Sequence, residues 1–303
     1  MVAVRKKNGD TRICTDFRHL NEAVKREPFQ IPTLEDLLSQ ISGATYFSSL
    51  DARSGYYQIP ISPDSQKYLV FCTPFGRFQY ARLPFGLNSA PEIFSKVMSR
   101  VLDGLEGVLC YLDDVLVFGK SKEDHDERLR QVIERFRKFD LRLNFEKCNF
   151  CVQSVKFLGH VLSQDGVRPD PEKVSAVRDY PRPTSLTELR SFLGAAGYIG
   201  QKFVQNFASL SKPLWDILKR DAFEWLPEAD KSFTAIKDAI LEIQPLYFFD
   251  HTGSVVIQTD ASGIGIGGTL MRDGKPILYT SRKLTDVETR YVEREFLAIV
   301  INF

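Results

Sequence analysis

The chain has 303 residues, 43% apolar and 26% charged, with 40 Lys and Arg against 39 Asp and Glu for a formal charge of +1. Such a length predicts two or three domains, and the charge balance excludes a basic field over the whole chain, so any nucleic-acid surface must be local. Five scattered cysteines (Cys14, Cys72, Cys110, Cys148, Cys151) argue against a disulfide scaffold and for a reducing compartment; no apolar run reaches the ~18 residues that span a bilayer, and MVAVRKKNGD lacks a signal-peptide core.

In chain order, residues 2–17 read as a β-hairpin turning at Asn8-Gly9-Asp10. Residues 31–43 read as a helix capped by Thr33, with Asp36 three residues on. Its apolar stripe is Leu34, Leu37, Leu38 and Ile41, and Gly43 ends it. Tyr46 to Leu50 is strand-like and delivers Asp51 at its end. Residues 68–83 give two strands around Pro74-Phe75-Gly76. Cys110-Tyr111-Leu112 and Val115-Leu116-Val117-Phe118 then read as paired strands with Asp113 and Asp114 at the bend. Residues 121–139 form an amphipathic helix expected to bury Leu129, Val132, Ile133, Phe136 and Phe139. Gln164-Asp165-Gly166 is a turn, and Pro171 opens a helix. Pro181-Arg182-Pro183 is the clearest linker, and a capping box from Ser185 to Glu188 starts a helical stretch reaching about residue 245. Residues 254–271 and 275–284 are strand-like, and 292–303 turn helical.

The carboxylates carry the chemistry. Isolated charge amid β-branched, apolar residues is costly unless something neutralises it. If strands 46–51 and 108–113 are neighbours, Asp51 and Asp113 meet at the sheet edge. Successive side chains point to opposite faces, so Asp113 is expected as the principal partner of Asp51 and Asp114 at the margin. Three converging carboxylates repel and raise their own pKa values. Mg²⁺ relieves this with oxygen ligands while keeping positions for water and phosphate, and two such ions ~3.5–4 Å apart serve an in-line phosphoryl displacement. The plainer alternative makes Asp113 and Asp114 turn residues and Asp51 a solvated strand end.

Tyr111-Leu112-Asp113-Asp114 resembles the Tyr-x-Asp-Asp box of reverse transcriptases. LDARSGYYQI, TDFRHLN, RLPFGLNSAPEIF and FLGHVLS are similar to the boxes of gypsy-type long-terminal-repeat retrotransposon Pol polyproteins and their retroviral relatives, across nearly the whole chain. Tyr57 stands where many relatives carry His, Leu112 where retroviruses carry Met or Val, and Phe85 where retroviruses have Gln but gypsy-type elements usually Phe.

The resemblance implies an α+β fold: a right-hand polymerase of fingers and palm (1–163), a thumb-like helical segment (164–222) and a partial ribonuclease H-like α/β unit (223–303). It implies Asp51, Asp113 and Asp114 as polymerase carboxylates binding two Mg²⁺, with Mn²⁺ as a substitute. Lys6 and Arg12 would grip the incoming triphosphate, with Lys7 the alternative to Lys6 and a solvated charge run the plainer reading. Tyr56 would pack under the incoming sugar and exclude a 2′-OH, while Tyr57 reads as a core aromatic. Phe85 and Gly86 would let template and nucleotide pass close to the backbone, and Phe157, Leu158, Gly159 and His160 would hold the primer end. Asp260 and Glu295, with Glu293 as its neighbouring alternative, would be two of four ribonuclease H metal ligands. The others lie further along in the family, so hydrolysis by this chain alone is not expected.

The expected partners are an RNA or DNA template with a DNA or tRNA-type primer, and deoxynucleoside triphosphates. No membrane is expected, and the setting is intracellular, in a cytoplasmic retrotransposon particle or the nucleus. The main rival is a catalytically inert remnant that only binds nucleic acid or protein; a palm-fold nucleotidyl cyclase shares the carboxylates but not the LPFGL and FLGH boxes. Cys148 and Cys151 have the inner spacing of a zinc site. With His160 the only nearby imidazole, at most three ligands are available, and two half-buried thiols are expected instead.

Overall fold

In the computed structural model the described residues are 2–5, 9, 11–26, 28–29, 34–220, 222–249, 253–263, 265–285 and 287–288; of 2–4, 11–14 and 34–35 only the backbone is described. The chain forms two compact units, Met1–Val155 and Lys156–Phe303.

The first unit opens with the expected hairpin: β1 (Val2–Arg5) pairs antiparallel with β2 (Thr11–Cys14), Arg5 opposite Thr11. Helix α1 is Arg18–Ala23 and α2 is Leu34–Leu38. The second helix stops short of Ile41. Ser39 Oγ and Gln40 Nε2 both donate back to the Asp36 carbonyl, at 2.8 and 3.1 Å, offering the backbone an alternative to another helical turn. Its expected cap, Thr33, lies outside the described residues.

The central sheet combines β3 (Tyr46–Asp51), β6 (Val108–Tyr111), β7 (Asp114–Gly119) and β8 (Asn149–Val152). Between β3 and β6 come α3 (Pro63–Gln66), the hairpin of β4 (Val70–Thr73) and β5 (Gly76–Gln79), and α4 (Ala90–Leu102). The strand order is β6-β7-β3-β8, which corrects the expected adjacency of 46–51 with 108–113. The second arm of the hairpin takes the inner place. Val115, Leu116, Val117 and Phe118 are all buried, so β7 needs cover on both faces, and only an inner strand has it.

Helices α4 and α5 (Lys122–Lys138) cover one face. Phe94, Met98, Val101 and Leu102 from α4 and Val132 and Phe136 from α5 pack on Leu50, Val115 and Val117. Burying such side chains contributes roughly 1.5–3 kcal/mol each before entropy is counted. Ser121 caps α5, its Oγ accepting from Asp124 N–H. Phe139, expected in the core, is 50% exposed because it is the residue at which the helix ends.

β9 (Ser154–Phe157), β10 (His160–Ser163) and β11 (Gly166–Pro169) form a small sheet. Helix α6 (Pro171–Arg178) follows, capped by Asp170, whose carboxylate accepts from Glu172 N–H. Ser185 caps α7 (Leu186–Phe203) by accepting from Glu188 N–H. The Glu188 carboxylate reaches back to Thr184 N and Oγ1, one residue beyond the capping box read from sequence. Helices α8 (Phe207–Ile217) and α9 (Pro227–Leu241) precede a sheet of β12 (Val255–Ala261), β13 (Gly265–Arg272) and β14 (Lys275–Lys283). Among the described residues β12 pairs on one side only, with β13. The helices expected as a thumb-like segment, α7 and α8, pack against β14. No described helix is long and apolar enough to cross a membrane.

Candidate active site

Asp51 is the last residue of β3, and Asp114 the first of β7. Antiparallel register sets the two directly opposite, the pair at one end of a ladder that runs to Tyr46 opposite Gly119. Tyr111 faces Asp114 across a two-residue turn, Leu112-Asp113. Asp114, expected at the margin, is therefore the cross-strand neighbour of Asp51, and Asp113 occupies the turn. Directly opposed residues share a face, with Cβ atoms about 4.5–5.5 Å apart, and like charges there repel.

The electrostatics report that crowding. Partial removal from water, then the charges of Asp113 and Asp51, push the Asp114 carboxyl up to about 6, against the opposing pull of Lys147. The Cys110 thiol is pushed up to about 12, by burial and then by Asp114 and Asp113. Leu112 holds φ at +54°, a left-handed conformation uncommon for a residue with a side chain. It is imposed by a tight turn between two hydrogen-bonded strands. The donor set at this end of the sheet is oxygen only, mutually repelling and reachable by solvent, which fits a hard divalent cation.

Three contacts hold Asp51 in place. Its N–H donates to Cys148 Sγ at 3.4 Å, its carbonyl accepts from Asn144 N at 2.9 Å, and its Oδ2 accepts from Lys147 Nζ at 3.4 Å. Lys147, 66% exposed, is a site residue that sequence reading missed. No motif or periodicity in the sequence marks it, and it lies 96 residues along the chain from Asp51.

The aromatic positions assemble beside this end of the sheet. After β3 the chain enters a 3₁₀ turn at Gly55–Gln58. A Cβ on Gly55 would sit 3.0–3.1 Å from the Phe94 ring, so glycine lets the turn lie on α4. Tyr56 packs between the α4 core and a second cluster of Phe17, Leu69, Leu83 and Leu87. Its ring centroid lies 4.8 Å from Phe85 and 5.5 Å from Phe94. Tyr57 stacks on Tyr80 at 6.4 Å and meets Phe85 edge-on. Gly86 has φ +102°, and a Cβ there would lie 2.9 Å from the Thr15 carbonyl.

Asn21 fastens this loop, with Nδ2 donating to Gly86 O at 2.9 Å and Oδ1 accepting from Asn88 N at 3.0 Å. One amide thus ties the TDFRHLN stretch to LPFGLN. Of Arg12 the backbone is placed on β2, while Lys6 and Lys7 lie outside the described residues.

In the second unit FLGH is a two-residue hairpin between β9 and β10. Leu158 (φ +50°) and Gly159 (φ +75°) both adopt the left-handed backbone that suits such a turn. Tyr198 Oη donates to Leu158 O at 3.1 Å, and Lys173 Nζ sits 3.7 Å from the Tyr198 ring centroid. A Cβ on Gly159 would run into both side chains. His160 is buried against Tyr198 and Phe203. Asp260 is exposed on β12 opposite Gly267. Its expected partner Glu295 and the alternative Glu293 lie outside the described residues.

These elements form an α+β right-hand polymerase fold followed by a ribonuclease H-like unit. Residues 4–162 match the family Reverse transcriptase (RNA-dependent DNA polymerase), and residues 225–303 match the RNase H-like domain found in reverse transcriptase. The chain belongs to the reverse transcriptase family. It is 35% identical over 300 residues to the retrovirus-related Pol polyprotein from transposon 297 of Drosophila melanogaster, covering 95% of this chain and 28% of that protein. It is 34% identical over 319 residues to the corresponding polyprotein from transposon gypsy, covering 97% and 30%. The Tf2-3 polyprotein of Schizosaccharomyces pombe is 32% identical over 307 residues, at 98% and 23% coverage. The chain thus spans less than a third of the length of these relatives. Among solved structures, a foamy viral protease-reverse transcriptase with double-stranded DNA superposes with a TM-score of 0.89 at 25% identity, covering 98% of this chain and 53% of that one. The same protein with an RNA/DNA hybrid gives 0.87 at 24% identity, covering 98% and 41%.

Proposed function

We propose that the chain is the polymerase portion of a retrotransposon Pol polyprotein, transferring deoxynucleotides from their triphosphates to a primer 3′-hydroxyl on an RNA or DNA template. The observation that carries this is the facing pair Asp51 and Asp114 beside Asp113 at the end of β3 and β7. A structural turn gains nothing from repelling carboxylates. A cation site needs them.

Mg²⁺, or Mn²⁺ in its place, held by Asp51, Asp113 and Asp114 would neutralise charge on the reacting triphosphate and hydroxyl. The chain's own residues do the positioning. Tyr56, wedged between Phe85 and Phe94, is a rigid floor for the incoming sugar that leaves no room for a 2′-OH. Gly86 keeps the neighbouring backbone bare for a base pair to approach. Lys6 and Arg12 would take the triphosphate, as the family resemblance implies, and the Phe157–His160 turn would support the primer end. In the ribonuclease H-like unit, Asp260 is the proposed ligand of a second metal centre, with Glu295.

The test is extension of oligo-dT on poly-rA with Mg²⁺. Asp113→Asn should lose incorporation while retaining primer-template on a filter. If the unaltered chain binds primer-template and incorporates nothing, it is a binding module and the enzymatic reading fails.

A further inference from the structure

We propose that His125, Asp126 and Cys151 bind one thiophilic divalent cation, zinc being the best fit, on the opposite face of β3 from Asp51. Their ligand atoms lie within 4.8 Å of one another. In a tetrahedral site with bonds of 2.0–2.3 Å the edges between ligands are about 3.3–3.8 Å, so side-chain shifts of roughly an ångström close this cluster. The two cysteines that sequence reading placed together point apart. Cys148 Sγ accepts from Asp51 N–H, whereas Cys151 meets an imidazole 26 residues earlier on α5.

Ser48 is the organising group. It is fully buried on β3, on the face that carries Leu50 rather than Asp51. Its Oγ lies 2.8 Å from His125 Nε2 and accepts from Cys151 N–H at 3.0 Å. One hydroxyl therefore orients two of the ligands. With Nε2 occupied there, Nδ1 of the fully buried His125 ring points at Asp126 Oδ1, 2.9 Å away. The hydroxyl admits two arrangements. Donating to Nε2, it leaves the ring proton on Nδ1, shared with Asp126. Accepting from Nε2–H, it leaves an Nδ1 lone pair facing a carboxylate and a thiol sulfur, which is what a metal takes.

Three further details fit. Asp126 Oδ2 is held by Lys122 Nζ at 2.6 Å, leaving Oδ1 for the ion. The Asp126 side chain is 44% exposed, giving a path of entry and a fourth position for water. Gly119 lets α5 start against β7: a Cβ there would be 2.5 Å from His125 N. Thiolate and imidazole favour zinc over the magnesium of the carboxylate site. A bound ion would pin α5 and β8 to β3.

The test is cobalt(II) titration of the full chain in excess Mg²⁺, reading the thiolate-to-cobalt absorption band. The band should saturate at one ion per chain, compete with zinc, and persist in Asp113→Asn and Cys148→Ser. Cys151→Ser should abolish it, and Ser48→Ala should weaken binding about tenfold, as loss of an orienting partner does. Zinc should also raise the melting temperature of the unaltered chain but not that of Cys151→Ser. Absence of the band, or its survival in Cys151→Ser, overturns the proposal, and neither outcome depends on polymerase activity.

Discussion

Two strands of this molecule carry an aspartate at or next to their last residue, and the surroundings of the two could hardly differ more. Asp51 closes β3, an inner strand with Asp114 directly opposite, and its sheet is covered by α4 and α5. Asp260 lies near the end of β12, opposite Gly267, and Val255, Val256 and Ile257 of that strand are 40–50% exposed. The residue type is the same; what stands across the strand is not. A carboxylate becomes a site when a rigid neighbour forces a second one upon it, so the palm contains a charged cluster by construction. On the described residues of the second sheet, Asp260 still needs a partner from elsewhere.

The sharpest way to break the comparison is at the charges themselves. Asp113→Asn should lower nucleotide incorporation by about 10²–10³-fold, the usual cost of removing one group that stabilises transition-state charge, whereas Asp260→Asn should leave incorporation unchanged. Equal losses in a primer-extension assay would mean the two carboxylates serve one function. Next comes packing. Leu116→Ala, at a fully buried position of β7, should cost about 2–5 kcal/mol in urea unfolding, while Val256→Ala should stay within about 0.5.

A smaller effect follows from the raised carboxyl. Asp114 keeps its proton to about pH 6 when folded but loses it near 3.8 when unfolded, so the folded chain binds more protons between those values. Without divalent ions, stability should therefore fall as pH rises from about 4 to 6. Asp114→Asn lacks that penalty and should be the more stable protein above pH 6, by about 1 kcal/mol after allowance for solvent screening, with the gain gone below pH 4. A pH series of melting curves in EDTA checks this. Smallest of all, Lys147→Ala removes the one opposing charge and should move the Asp114 midpoint further up in an NMR titration.

Much of the candidate site is legible in the chain because its parts are local. Asp113 and Asp114 stand between two apolar runs, and Asp51 closes the strand-like run Tyr46 to Leu50. Which run becomes the inner strand was misread, although the unbroken Val115-Leu116-Val117-Phe118 holds the clue: a strand apolar on every residue needs two covered faces. The contacts made by single side chains over long separations were not legible. Asn21 reaching Gly86, Lys147 reaching Asp51, and Tyr198 reaching Leu158 leave no periodicity to find. His125 is an intermediate case. It falls in step with Leu129, Val132 and Phe136 on the inner stripe of α5, and a histidine in an apolar register is a signal that passed unread.

The ladder between β3 and β7 has a last consequence. Sliding β3 by one residue would exchange its two faces, taking Ser48 and Leu50 off the α4–α5 side and putting Phe47 and Ser49 there, while carrying Asp51 past Asp114. A misaligned active centre is therefore also a misfolded interior, and the chain has no well-packed state in which its acids are out of line. Weakened variants remote from the centre should accordingly yield fewer working molecules, each turning over at the normal rate, rather than a uniform population of slow ones.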